Sequence, residues 1–215
     1  MIDPVITTTD LRAVLFDFDG TLLDSFAAHW EVYQVMFAKF NIRITKDEFI
    51  RHFSPDWYHT YQAVGLPRES WAAADAFWLE EATKHEPGLF PGVKDVLLQL
   101  RPHYSLGLVT SGTKSRVLRD LGKTALAGHF QVIVTGDDVQ RPKPSPEGLE
   151  RALQTLGARP DQALYVGDTP ADYEMSRNAS VRFCGVCSPF LRPTDGLAFQ
   201  VLDSIGDLVE LIVKS

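Results

Sequence analysis

The stretch AVLFDFDGT, residues 13–21, decides the fold. Its first four residues form a short apolar run, which predicts a strand buried on both faces. Two carboxylates follow at the carboxyl end of this strand, the edge of an open α/β sheet where ligands bind. Asp17 and Asp19 would point to opposite faces of a regular strand, so the chain must turn by Asp19 if they share a site. Gly20 permits that turn.

Four further apolar runs predict strands of the same kind. They are Leu106–Val109, Gln131–Val134, Ala163–Val166 and Val181–Val186. Helical patterns precede or separate several of these runs, at Pro91–Leu100, Ser115–Leu121 and Pro146–Leu156. This alternation predicts an α/β protein whose parallel sheet carries helices on both faces.

The segment between the first two runs breaks this alternation. Residues 25–88 look helical throughout, with breaks at Asn41, Ser54, Gly65 and Pro67. The segment is too long for a simple crossover, so we predict an inserted domain of four helices. The core domain would then consist of residues 1–24 and 89–215.

The composition restricts the class of partner. The formal net charge is -7, and no cluster of Lys and Arg marks a nucleic-acid surface. No apolar run approaches the length of a membrane span. The first ten residues lack the pattern of a signal peptide, and the chain has only two cysteines, which favours the cytoplasm. We expect a partner that is a small molecule.

Two polar motifs follow the second and third strands. A hydroxyl of Thr110 or Ser111 could bind a phosphoryl oxygen near the amides of the next helix, or it could simply cap that helix. Lys143 lies between Pro142 and Pro144, which stiffen its backbone. Its ammonium suits a phosphoryl group, although a lysine in such a turn is more often solvated.

Two more acids follow the fourth strand. Asp168 ends that strand and Asp172 begins the next helix. Carboxylates are ligands that Mg²⁺ accepts, whereas Asp172 could also be an ordinary acid at a helix N-terminus. Each motif is weak alone, but all four stand at the ends of strands.

In order and spacing, these four motifs resemble those of the haloacid-dehalogenase-like hydrolase superfamily. The closest likeness is to its phosphoglycolate-phosphatase-like and β-phosphoglucomutase-like branch, and the helical insertion lies where that branch carries its cap domain. The resemblance implies a Rossmann-like sheet in the order 5-4-1-2-3.

The resemblance also implies the chemistry. Asp17 would attack phosphorus, and Asp19 would act first as acid and then as base. Mg²⁺ would be bound by the side chains of Asp17 and Asp168 and by the backbone carbonyl of Asp19, with Asp172 supporting the metal site.

Other positions would bind the substrate. Ser111 and Lys143 would hold the phosphoryl oxygens beside Thr110 and Gly112, which supplies an amide. His29 in the insertion stands where relatives often place a histidine near the leaving group. Arg51 and His52 could bind an anionic part of the substrate.

The resulting expectation is a magnesium-dependent phosphatase for a small phosphorylated metabolite such as phosphoglycolate, acting as a monomer or homodimer. A phosphosugar mutase is one alternative, although mutases of the branch often have Asp-Gly-Val where this chain has Asp19-Gly20-Thr21. A domain that only binds a phosphorylated ligand is the other. The presence of Asp19 argues against a dehalogenase, which lacks the second acid.

Overall fold

A computed structural model describes residues 10–192 and 199–212 of the 215-residue chain. The chain divides into two compact units. One comprises the segments up to Leu23 and from Leu89 onward, and the other is Asp24–Gly88. The second unit begins one residue before the segment predicted as an insertion. Residues 1–9, 193–198 and 213–215 of the predicted core domain lie outside the described residues.

The Asp24–Gly88 unit contains four α-helices. They are α1 (Phe26–Lys39), α2 (Lys46–His52), α3 (Trp57–Ala63) and α4 (Trp71–Ala82). Asn41 and Gly65 adopt positive φ angles of 58° and 78° just after α1 and α3, as expected of residues that end a helix. The aromatic cluster of this unit includes Trp71 and Trp78, so packing accounts for both rings.

The other unit is built on a sheet of six strands. They are β1 (Ala13–Phe16), β2 (Ser105–Val109), β3 (Val132–Val134), β4 (Ala163–Gly167), β5 (Arg182–Val186) and β6 (Gln200–Leu202). The order is β3-β2-β1-β4-β5-β6, and every neighbouring pair is parallel. The predicted α/β class and the order of the first five strands are confirmed. The edge strand β6 was not predicted.

Alternation along β1 divides the core between the two faces of the sheet. Val14 and Phe16 join an apolar cluster on one face, and Ala13 and Leu15 join a second cluster on the other. Three helices pack on the first face: α5 (Val93–Leu100), α6 (Lys114–Thr124) and α9 (Leu208–Ile212). Two helices pack on the second face: α7 (Glu147–Leu156) and α8 (Pro170–Asn178). None of the described helices combines the length and apolar character that a membrane span requires.

The strand register brings the polar motifs together. Phe16, the last residue of β1, pairs with Leu108 of β2 on one side and with Val166 of β4 on the other. The segments that follow these three strands therefore leave the sheet side by side at its carboxyl edge.

Candidate active site

Asp17 stands at the centre of this edge. Its backbone N–H donates to the carbonyl of Val166 at 2.8 Å, which continues the β1–β4 ladder by one residue. The side chain is buried, and its Oδ1 accepts a hydrogen bond from Nζ of Lys143 at 2.8 Å. Among the described residues no donor reaches the second oxygen, Oδ2.

The chain turns after Asp17 at Gly20, whose φ is 79°. A Cβ atom at this position would lie 2.3 Å from Oδ2 of Asp168, so the turn passes directly against the carboxylate that ends β4. The buried hydroxyl of Thr21 donates to Oδ1 of the same carboxylate at 3.1 Å. Glycine is therefore required here for space as well as for backbone conformation.

Three of the predicted acids form one buried group. Carboxylate oxygens of Asp17, Asp168 and Asp172 lie within 4.8 Å of one another. Burial raises the pKa of Asp17 to about 7, with Lys143 opposing this shift and Asp172 adding to it. Burial, followed by the charges of Asp17 and Asp172, raises the pKa of Asp168 well above its usual value.

The charge of this group fits a metal ion. Three carboxylates face one ammonium, so negative charge is in excess when all are ionised. A hard divalent cation with oxygen ligands, such as Mg²⁺, would offset that excess. The donor set is therefore of the type that such an ion prefers.

Lys143 is the cation of the site. Its Nζ lies 2.8 Å from Oδ1 of Asp17, 2.7 Å from Oδ1 of Asp172 and 2.8 Å from the hydroxyl of Tyr165. An ammonium group has three donors, and here each has an acceptor. Burial alone would lower the pKa of Lys143, but Asp17 and Asp172 outweigh burial and raise it. The alternative of a solvated lysine is wrong, because only 5% of the side chain is exposed.

Asp172 has two roles at once. Its Oδ2 accepts from the backbone N–H of Thr169 at 3.0 Å and from the hydroxyl of Thr169 at 2.6 Å, which caps α8. Its Oδ1 accepts from Lys143 and, at 3.1 Å, lies close to the hydroxyl of Tyr165. Both oxygens are thus engaged within the protein. This favours Asp172 as an anchor for Lys143 over a direct metal ligand.

Tyr165 escaped the sequence analysis because it lies inside the apolar run of β4. Its hydroxyl is buried and lies 2.9 Å from the carbonyl of Val109, to which it can donate while accepting from Lys143. Burial raises the pKa of Tyr165 well above its usual value, so the hydroxyl keeps its proton. A tyrosine within a fully buried strand requires a hydrogen-bond partner, and that signal could have found it.

The loop after β2 carries unsatisfied hydroxyls. Oγ of Ser111 and Oγ1 of Thr113 are buried atoms, and neither has a hydrogen-bond partner in the described part of the chain. Buried hydroxyls are usually paired, so both atoms could accept a ligand. The N–H of Gly112 instead donates to Oγ1 of Thr110 at 3.2 Å, so the predicted amide is engaged within the loop.

Helix α6 begins after Thr110 and Ser111, the two residues considered as its possible caps. Its N-cap is Thr113, so the reading in which Thr110 or Ser111 caps this helix is wrong. The first helical amide, that of Lys114, donates to Oδ2 of Asp137 at 2.7 Å. An anionic ligand at this helix end would have to use the amides that follow.

Asp19 lies at the edge of the site, with 23% of its side chain exposed. Its two oxygens face the guanidinium of Arg116, which is buried on α6. Asp19 is near enough to Asp17 to raise the pKa of that carboxyl. Arg116 also escaped the sequence analysis.

The predicted substrate residues of the insertion belong to the Asp24–Gly88 unit. His29 lies on α1, and its ring centroid is 5.2 Å from that of Trp78. Arg51 and His52 are exposed in the last turn of α2. Substrate binding by these three residues stays a prediction.

Comparison with known proteins agrees with the motifs. The family model described as haloacid dehalogenase-like hydrolase matches residues 14–186. The chain is 30% identical to the pyrophosphatase PpaX of Listeria monocytogenes over 95% of this chain and 98% of that protein. A pyrophosphatase PpaX from Oceanobacillus iheyensis is 28% identical over the same shares.

Solved structures show the same fold. A putative phosphoglycolate phosphatase from Lactobacillus plantarum superposes with a TM-score of 0.85 at 22% identity, covering 94% of this chain and 99% of that one. A putative β-phosphoglucomutase from Thermotoga maritima has a TM-score of 0.72 at 24% identity, covering 95% and 99%. The predicted family and the predicted phosphatase class of enzyme are thereby confirmed. The chain belongs to the haloacid dehalogenase-like hydrolase family.

Proposed function

We propose that the protein is a magnesium-dependent phosphatase that hydrolyses a small phosphate monoester through an aspartyl phosphate on Asp17. The observation that carries the proposal is the buried pair of Asp17 and Lys143 within a group of three carboxylates. A purely structural ion pair would not need two additional buried acids, whose burial is unfavourable.

Asp17 supplies the nucleophile. Its Oδ2, which receives no hydrogen bond from the described residues, attacks phosphorus, and the bond from phosphorus to the ester oxygen breaks. Asp19 gives a proton to the departing oxygen and then takes one from the attacking water. The water cleaves the bond between phosphorus and Asp17, which restores the carboxylate. Two displacements through a covalent intermediate replace one difficult step.

Positive charge makes the attack possible, because a carboxylate and a phosphate dianion repel each other. Lys143 faces the nucleophile and would contact a phosphoryl oxygen when the phosphate enters. Mg²⁺, when bound, offsets the charge of the phosphate and of the acids. The side chains of Asp17 and Asp168 and the backbone carbonyl of Asp19 hold the ion in this proposal.

Hydroxyl groups complete the phosphoryl site. Oγ of Ser111 is buried without a partner among the described residues, which supports its role as a ligand to a phosphoryl oxygen. Thr113 shares that property and joins Ser111 in the proposal. Thr110 orients the loop by accepting from the N–H of Gly112.

Two substrates are favoured by particular observations. Phosphoglycolate is favoured by the likeness of the fold to a putative phosphoglycolate phosphatase. Inorganic pyrophosphate, an anhydride whose bridging oxygen would depart in place of an ester oxygen, is favoured by the relative at 30% identity, which is named a pyrophosphatase. We assign the choice between substrates to His29, Arg51 and His52 of the helical unit. The protein acts in this proposal as a cytoplasmic monomer or homodimer.

Phosphate release across both substrates and a set of sugar phosphates tests the proposal. The wild type should need added magnesium, lose activity with a chelator, and lose it in Asp17→Asn. Asp95→Asn, which changes an exposed acid on α5, should behave as the wild type does.

Two outcomes would contradict the proposal. If no phosphate is released until a sugar bisphosphate is added and a sugar phosphate is then isomerised, the protein is a mutase. If every compound binds but none reacts, the protein is a binding domain.

A further inference from the structure

Arg116, a residue of helix α6, contacts the carboxylate of Asp19 in the candidate active site. Its two terminal nitrogens contact the two carboxylate oxygens of Asp19, with NH1 at 3.1 Å from Oδ1 and NH2 against Oδ2. The residues are 97 positions apart in the chain. Two parallel contacts between a guanidinium and a carboxylate fix both the distance and the angle of the acid.

The guanidinium is itself held in place. NH1 also lies 3.3 Å from Oδ2 of Asp120, one helical turn further along α6, and Asp120 in turn accepts from Nε of Arg119 at 2.8 Å. Only 5% of the Arg116 side chain is exposed, so few alternative positions are open to it. The resulting chain of charges runs from Asp19 to the half-buried Arg119 at the helix surface.

The loop after β2 makes room for this contact. A Cβ atom at Gly112 would lie 2.2 Å from NH2 of Arg116, so only glycine lets the guanidinium reach Asp19 along this path. A buried salt bridge is weak evidence of stabilisation, because burying its charges is costly. A salt bridge that served only stability would not need to lie against the loop proposed to bind the phosphoryl group. The contact therefore serves Asp19.

We propose that Arg116 is a positioning residue that holds the Asp19 carboxylate for both proton transfers of the reaction. This inference rests on the proposed function. A carboxylate has about four acceptor positions, and the contacts from Arg116 account for two of those of Asp19. The proton passes between Asp19 and the leaving oxygen or the water, and Arg116 exchanges none. Asp120 holds the guanidinium of Arg116 in the position from which it contacts Asp19.

The leaving group provides a test. An alkyl phosphate needs a proton on its departing oxygen, whereas para-nitrophenyl phosphate releases a stable phenolate without one. In Arg116→Lys we expect the first-turnover cleavage of an alkyl phosphate to slow about 10- to 100-fold. This loss is only part of the rate enhancement that a general acid usually contributes, because Asp19 itself is still present. The first-turnover release of para-nitrophenol should change far less. KM should stay the same, because Arg116 does not touch the substrate.

Two variants accompany this experiment. Arg177→Lys makes the same substitution at an exposed arginine in the last turn of α8, away from this chain of charges, and should leave both rates unchanged. Asp120→Asn loosens Arg116 without removing it, and should give the same dependence on the leaving group with a smaller loss. If Arg116→Lys does not fold, Asp120→Asn carries the test.

Four results separate the claims. Equal losses for both substrates, or a change in KM alone, would overturn the role of Arg116 while the phosphatase stands. Unchanged rates in Arg116→Lys would overturn it as well. If the Asp17→Asn variant releases phosphate as fast as the wild type does, the proposed function is overturned. The inference that rests on it is then overturned as well.

Discussion

Replacing Tyr165 by phenylalanine would test how the site holds its lysine. The ammonium of Lys143 has three donors and three acceptors, and Tyr165→Phe removes one acceptor that lies 2.8 Å away. The carbonyl of Val109 loses a donor at 2.9 Å in the same change. A buried donor left without a partner costs about 1–3 kcal/mol, and a charged donor costs more. For a chain of this length, about 2 kcal/mol corresponds to roughly 4–8 °C in the thermal midpoint.

The assay is thermal unfolding with a chelator present, so that metal binding does not mask the difference. Tyr173→Phe is a matched control, since Tyr173 packs against Phe183 and Phe199 and its hydroxyl forms no hydrogen bond with the described residues. That control should shift the midpoint by less than about 1 °C. Equal midpoints for the two variants would refute the argument that Tyr165 satisfies the third donor of Lys143.

Two other predictions concern the metal site. In Gly20→Ala the new Cβ would collide with the carboxylate of Asp168. The variant should therefore lose more stability than a strained φ alone costs, which is about 1 kcal/mol, and it should bind Mg²⁺ more weakly. Gly65→Ala has the same strain at φ 78° with open space around it, so equal unfolding energies for the two variants would count against the collision. Because burial raises the pKa of Asp17 to about 7 and that of Asp168 well above its usual value, Mg²⁺ must displace at least one proton below pH 7, and its affinity should fall by at least about tenfold per pH unit there. Calorimetry in buffers of different ionisation enthalpy measures the number of protons released when Mg²⁺ binds. A Mg²⁺ affinity that does not depend on pH would contradict this prediction.

Much of the sheet could be predicted because buried parallel strands leave plain apolar runs. The predicted run Ala13–Phe16 coincides with β1, and Leu106–Val109 misses only the first residue of β2. The edge strand β6 was missed since Gln200–Leu202 is three residues long and opens on an exposed glutamine. So short a segment has no detectable period.

The acids of the site could be predicted for a topological reason. The ends of neighbouring parallel strands meet at one edge, so Asp17 and Asp168 were expected to lie close together once the family resemblance placed β1 next to β4. Their partners were harder to find. The contact between Arg116 and Asp19 spans the sequence, and no local pattern specifies it.

A weaker signal for Arg116 was nevertheless available. The buried positions of α6 are 116, 117, 120 and 121, so Arg116 and Asp120 share the inward face with Val117 and Leu121. Charged residues at apolar positions of a helix are rarely buried without a partner. The spacing of four residues between the arginine and the aspartate indicated a buried pair.

The central claim is that Asp17 carries the phosphoryl group during turnover, and trapping the intermediate tests it most directly. The protein would be mixed with magnesium and the best substrate, quenched in acid during turnover, digested, and analysed by mass spectrometry. We expect a phosphoryl adduct on the peptide that contains Asp17, and none in Asp17→Asn or without magnesium. An adduct on another residue, or release of phosphate by the Asp17→Asn variant at the wild-type rate, would contradict the account.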